Sequence, residues 1–269
     1  MRFTFDHDYH IHSYLSLCSS DEGQTNERIL QYAKENRLHT VCLTNHYWDS
    51  AVENEYHRFY TPQNFENLKK ALPLPQDEKV RFLFACEGEM RLDGVLGIPE
   101  SRFEEFAWIL LPMTHLNWHG FTISHEDVLT PEGRAKTWVE RLETVLNKDL
   151  PFHKIGLAHL ASGGIFRESR EGYLETLRSI PEAEMGRLFE KVAKVGCGVE
   201  INSYDMRFTD EEKTDVLRMF FIAKECGCKF YLGSDVHHPE AFADVPYLFD
   251  RAIRALELKE EDKFVLSVD

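Results

Sequence analysis

A chain of 269 residues with 43% hydrophobic side chains can bury a full core, and its size suits a single α/β domain over residues 1–269 rather than two domains. Its formal charge of −15 disfavours broad attraction to nucleic acid, which rests on lysine and arginine neutralising phosphates. No run of about 18 uncharged apolar residues exists, so no membrane span is expected.

In chain order, the opening Met-Arg-Phe-Thr-Phe-Asp lacks the apolar stretch and cleavage site of a signal peptide, so a cytoplasmic location is expected by default. Apolar, β-branched or aromatic runs fall near residues 3–9, 39–44, 80–86, 107–113, 154–159, 197–202 and 228–233, with helical periodicity between most of them. Alternation of this kind implies a parallel sheet. Helix starts are marked by Thr25, by Thr61 before Pro62, by Thr130 before Pro131, and by Thr209 with Glu212, which make a capping box. Ala135, Trp138, Val139, Leu142, Val145 and Leu146 form a helical stripe that reads as core. A further strand around Phe264–Val268 would add to the seven runs. Six cysteines without a secreted-type framework point to reduced thiols, with Cys42, Cys86 and Cys197 reading as small buried hydrophobes. Nothing in the sequence speaks to oligomeric state.

Each apolar run ends on residues of metal-ligand type. The endings are His10-Ile11-His12, Thr44-Asn45-His46, Cys86-Glu87-Gly88-Glu89, Met113-Thr114-His115, Leu157-Ala158-His159, Glu200-Ile201-Asn202 and Gly233-Ser234-Asp235-Val236-His237. If the runs are parallel strands of a barrel, their C-terminal ends meet on one rim and residues remote in sequence become neighbours. Mixed imidazole and carboxylate ligands suit zinc, manganese or iron. Part of the acidic excess would then be charge that bound cations offset.

The order of these motifs, from His10 to His237, resembles the PHP superfamily, named for polymerase and histidinol phosphatase. The resemblance implies an α/β fold of distorted, TIM-like (βα)7 barrel type. It also implies two or three divalent ions that hydrolyse a small phosphomonoester through a metal-activated hydroxide, with histidinol phosphate the nearest named substrate. One ion would use His10, His12, Glu87 and Asp235, a second His46 and His237, and a third His115 and His159 with Glu87 as bridge. Asp235, Glu87 and His237 would be the catalytic groups. The chain departs from the family pattern after the first motif, where Ser13-Tyr-Leu-Ser-Leu-Cys18-Ser-Ser-Asp21 offers Cys18, Asp21 or neither as an extra ligand. A thiolate there would favour zinc or iron over manganese.

Other residues near these endings have two readings. Glu89 could replace Glu87, and Glu200 and Asn202 either support the ligands or cap the strand. His119 and His238 could face the pocket, His7 reads as structural, and His39, His57, His125 and His153 match no ligand ending. A phosphate ester also needs donors, and the loop from Ala161 to Arg170 offers glycine amides together with Arg167 first and Arg170 second. The segment 171–194 is expected to shape the substrate pocket. Two rivals are an amidohydrolase, whose binuclear form commonly has a lysine where this chain has His115, and a catalytically silent metal-stabilised module serving a protein partner.

Overall fold

The computed structural model describes residues 1–19, 21–54 and 57–267. Its strands are β1 (His7–Ile11), β2 (Thr40–Leu43), β3 (His46–Tyr47), β4 (Arg81–Phe84), β5 (Cys86–Gly88), β6 (Ile109–Pro112), β7 (Ile155–Ala158), β8 (Gly198–Asn202) and β9 (Lys229–Gly233). All strand pairs are parallel, in two sheets ordered β1-β2-β4 and β3-β5-β6-β7-β8-β9. The sheets are stitched where Ala85 N–H donates to Leu43 O (3.0 Å) and Glu87 N–H to Asn45 O (3.1 Å). At the far edge, the chain leaving β9 returns to β1, with Asp235 N–H donating to His10 O (2.7 Å) and His12 N–H to Val236 O (3.1 Å).

Between the strands lie α1 (Asn26–Glu35), α2 (Phe65–Leu68), α3 (Pro131–Leu146), α4 (Arg170–Ser179), α5 (Glu182–Val195), α6 (Lys213–Glu225) and α7 (Val245–Ala255). Thr25 caps α1 by accepting from Arg28 N–H, and Thr130 caps α3 by accepting from Gly133 N–H. The α3 stripe is core, with Ala135, Trp138, Leu142, Val145 and Leu146 buried. No helix among the described residues is long and apolar enough to cross a membrane.

Several expected boundaries move. The first strand begins at His7, not residue 3, because Phe3 N–H is already committed to Leu258 O near the C-terminus. The helix expected at Thr61 starts later, at Phe65, where Asn64 provides the cap. Thr209 and Glu212 do exchange capping-box hydrogen bonds, but they close a turn, and α6 follows from Lys213. Near the C-terminus, Phe264 N–H donates to Phe230 O (2.8 Å) and Lys263 makes one isolated bridge, with no strand among the described residues; Val268 lies outside them.

A bulge in β1 decides what its side chains face. Asp8 pairs with Val41 and Ile11 with Leu43, so β1 carries one residue more than β2 over that interval. The extra residue resets the alternation of faces. Asp8 therefore turns to Tyr32 of α1, whose hydroxyl donates to it, while Tyr9 joins an aromatic cluster and His10 turns to the ligand residues. That cluster holds Tyr9, Cys42, Ala85, Trp108, Leu110, Ala158, Tyr231, Phe264 and Leu266. Gly156 makes room for it, since a Cβ there would sit 2.4 Å from Trp108 and 2.6 Å from the Tyr231 hydroxyl.

Candidate metal centre

Strand ends bring His10, His12, His46, Glu87, His115, His159, Asp235 and His237 into one cluster. His10 Nε2 and His12 Nε2 are 3.0 Å apart, and both face Asp235 Oδ1, at 3.3 and 3.2 Å. Glu87 stands between the rings: Oε2 is 2.8 Å from His46 Nδ1 and 3.4 Å from His12 Nε2, while Oε1 is 3.1 Å from His159 Nε2 and 3.7 Å from His115 Nε2. His159 and Asp235 hold left-handed backbone angles, φ 56° and 55°, which turn the chain sharply where each ligand leaves its strand.

Two neighbouring glutamates show what is unusual here. Glu89 is saturated: it accepts from Arg141 (2.6 Å), from the Tyr60 hydroxyl (2.9 Å) and from Met90 N–H (2.7 Å), and it lies 3.0 Å from His115 Nδ1. It is therefore a support that orients His115, not a replacement for Glu87. Glu87 is as deeply buried, yet neither of its oxygens meets a donor in hydrogen-bond alignment; they face imidazole nitrogens, the nearest being His46 Nδ1 at 2.8 Å. A buried carboxylate without hydrogen bonds is costly unless a cation compensates it. Five imidazoles converge on Glu87 with ligand nitrogens, so the donor set fits divalent ions.

The candidate ligand atoms gather in three groups around that carboxylate: His10, His12 and Glu87; Glu87, His115 and His159; and His12, Cys18, His46 and His237. The third group gives Cys18 a place beside His46 and His237. Asp21 belongs to no group, since its Oδ1 accepts from Gly23 N–H at 2.7 Å in a local turn. Glu200 also falls near His10 and His159, but it approaches from behind. Its Oε1 is 2.6 Å from His10 Nδ1, and its Oε2 accepts from His159 N–H (2.7 Å) and from Asn202 (3.2 Å). That leaves Nε2 of His10 turned toward the centre, the usual carboxylate support of a metal-binding histidine. Gly233 permits the approach, because a Cβ there would lie 2.1 Å from Glu200 Oε1.

The charges split the rings into two kinds. Burial pushes His46 down to about 4 and His237 down to about 3, so both are neutral and ready to ligate. Burial also opposes protonation of His10 and His159, but the surrounding carboxylates outweigh it. Glu200, Asp235 and Glu87 hold His10 well above its ordinary value, and Asp235 and Glu87 raise His159 to about 9. Conversely, burial pushes Glu87 and Asp235 up, yet neighbouring imidazoles hold both well below the carboxylate range.

Above the ligands opens a cavity of about 510 Å³. Cys18, His46, His115, His159, Asp235 and His237 line its floor, and Arg167, Ser162, Tyr204 and His238 border it. Arg167 thus reaches the cavity. Arg170 does not, because both arms of its guanidinium bind Glu212 at 2.7 Å. The segment 171–194 also contributes nothing to the lining. His119 is exposed and outside the lining, and His7 is structural, accepting from Leu232 N–H at 3.0 Å. The wall missing from the sequence reading is aromatic, made by Phe59, Tyr60 and Trp118, with His57 packed against it. A second omission is Arg134, which is buried and ties Val128 O, Ile165 O and Glu168 together beneath the loop that carries Arg167.

No family model and no curated protein sequence matches this chain. Among solved structures it is similar to histidinol phosphate phosphatase from Lactococcus lactis subsp. lactis Il1403, solved with zinc, L-histidinol and phosphate. The two share 15% identity and a TM-score of 0.57, over 97% of this chain and 98% of the other. At that identity the likeness is one of fold. The chain therefore shares the α/β fold of that protein.

Proposed function

We propose that this protein is a metal-dependent phosphoesterase that hydrolyses a small phosphomonoester. The observation that carries the reading is Glu87, a buried carboxylate with no hydrogen bond on either oxygen, at the point where five imidazoles converge. His10, His12, Cys18, His46, Glu87, His115, His159, Asp235 and His237 would hold two or three zinc, manganese or iron ions. The strand ends are read as the rim of a distorted (βα)7 barrel, supported by the hydrogen bonds that lead from the end of β9 back to β1.

Bound divalent ions supply a more acidic water and compensate charge on the phosphoryl oxygens. Among the described residues Asp235 is the one carboxylate that both belongs to the centre and lines the cavity, so it orients the attacking water and receives its proton. Its neighbouring imidazoles make it a weak base, so it can act only on a water already made acidic. Arg167 holds the phosphate from the cavity wall. Attack would form a new P–O bond as the ester P–O bond breaks, and the alcohol would leave with the proton that Asp235 took from the water. Arg134 and Glu168 fix the loop that presents Arg167. The amidohydrolase reading is not favoured, because His115 stands where a bridging lysine is expected.

The deciding experiment is phosphate release from p-nitrophenyl phosphate by purified protein of measured metal content. Release that stops on chelation and returns with zinc, manganese or iron supports the reading. Hydrolysis of amides or lactones instead of phosphate esters counts against it.

A further inference from the structure

Building on the phosphoesterase reading, we propose that the alcohol part of the substrate carries a flat, uncharged ring that seats against Phe59 and Trp118 at the cavity mouth. The aromatic wall begins at a ligand, since the Phe59 ring stands edge-on to His46 with centroids 5.1 Å apart at 69°. Trp118 stacks on Phe59 at 5.3 Å and 29°, and His57 meets Trp118 edge-on at 4.8 Å and 87°. Behind them Trp48, Tyr60 and Phe121 form a buried aromatic cluster that holds the wall in place. Phe59 and Trp118 are only half-buried and border the cavity. A phosphate held at the metal ligands would leave its ester substituent in the remaining space, beside these two rings. Aromatic groups gain from offset or edge-on contact with such a wall.

The charge of the lining selects further. Among the described lining residues Asp235 is the only carboxylate, and it belongs to the metal centre, while Arg167 is the only guanidinium. An ammonium on the substrate would meet the positive charge of Arg167 with no free acid among the described lining residues to pair with, and such uncompensated charge is a basis for discrimination. That separates the proposed substrate from amine-bearing alcohols such as histidinol.

The test uses metal-loaded protein and two primary alkyl phosphates, 2-phenylethyl phosphate and 2-aminoethyl phosphate, followed by phosphate release. The expected kcat/KM favours the phenylethyl ester by about ten-fold or more. Trp118→Ala should remove most of that preference by raising KM for the phenylethyl ester, and Trp118→Phe should keep a good part of it. Phe59→Leu provides the same comparison if Trp118→Ala fails to fold. Equal kcat/KM for the two esters, or a preference that survives loss of either ring, would overturn the inference. No release from the phenylethyl ester by protein that cleaves p-nitrophenyl phosphate would overturn the inference, and no release from any of the three with ions bound would overturn the phosphoesterase reading itself.

Discussion

The interior-facing side chains near the two ends of the strands make opposite choices. Toward the N-terminal ends, Tyr9, Trp108, Tyr231 and Phe264 fill the space with rings, with centroids 5.1 to 6.5 Å apart. At the C-terminal ends, imidazoles and carboxylates occupy comparable positions, and Glu87 is left without hydrogen bonds. The aromatic end is complete by itself, since apolar packing needs only matching shapes. The polar end is complete only with compensating charge. Apolar packing and the candidate metal centre are thus drawn from different ends of the same strands, and the β1 bulge lets one strand serve both.

The largest break should come at the bridge. Glu87→Gln removes the carboxylate shared by two of the candidate ligand groups, so on the proposed reading purified protein should lose more than one ion per chain and phosphate release should fall by orders of magnitude. Elemental analysis alongside phosphate release checks this, and full metal content in the variant would refute the bridging role. Next, Asp235→Asn should depress kcat by orders of magnitude with some metal kept, because the amide still offers an oxygen. Arg167→Ala should chiefly raise KM. An Asp235→Asn variant as fast as the parent, with its metal checked, would sink the proton role; an unaltered Arg167→Ala variant would sink only the phosphate clamp.

A smaller and graded effect is expected from pH. His159 is raised to about 9 without metal and must be neutral to ligate, so metal binding displaces its proton. Affinity should therefore weaken as pH falls below about 9, by about ten-fold per unit for each proton displaced. Competition titrations with a chelator at several pH values read this directly, and a flat profile would count against His159 as a ligand. The smallest effect belongs to the aromatic end. Gly156→Ala would overpack Trp108 and Tyr231 and should cost about 1–3 kcal/mol of stability in denaturant melts. Metal per folded chain should stay unchanged; loss of metal in that variant would mean the two ends are not independent.

Much of this arrangement was legible in the sequence. Ligand types recur at strand ends, and chain order alone groups His10, His12, His46, Glu87, His115, His159, Asp235 and His237, which the structure brings together. What escaped was set by contacts between remote segments. The face change between Asp8 and His10 comes from an unpaired residue, which period-two reading cannot register. Arg170 looked available because its partner, Glu212, lies on a different element. The pocket wall came from Phe59 and Trp118, neither at a strand end, rather than from the helices of 171–194. Glu89 and Glu87 share one short motif, and it takes Tyr60 and Arg141, both remote in the chain, to show which of them is already satisfied.

The left-handed angles at His159 and Asp235 narrow the chemical alphabet available at those positions. Apart from glycine, that region of backbone space is best tolerated by asparagine, aspartate and histidine, and β-branched residues are strongly disfavoured. Imidazole and a short carboxylate are the metal-binding members of that small set. At these two points the course of the main chain thus narrows which side chains can stand there, and Asp235→Asn is a substitution the backbone can accept.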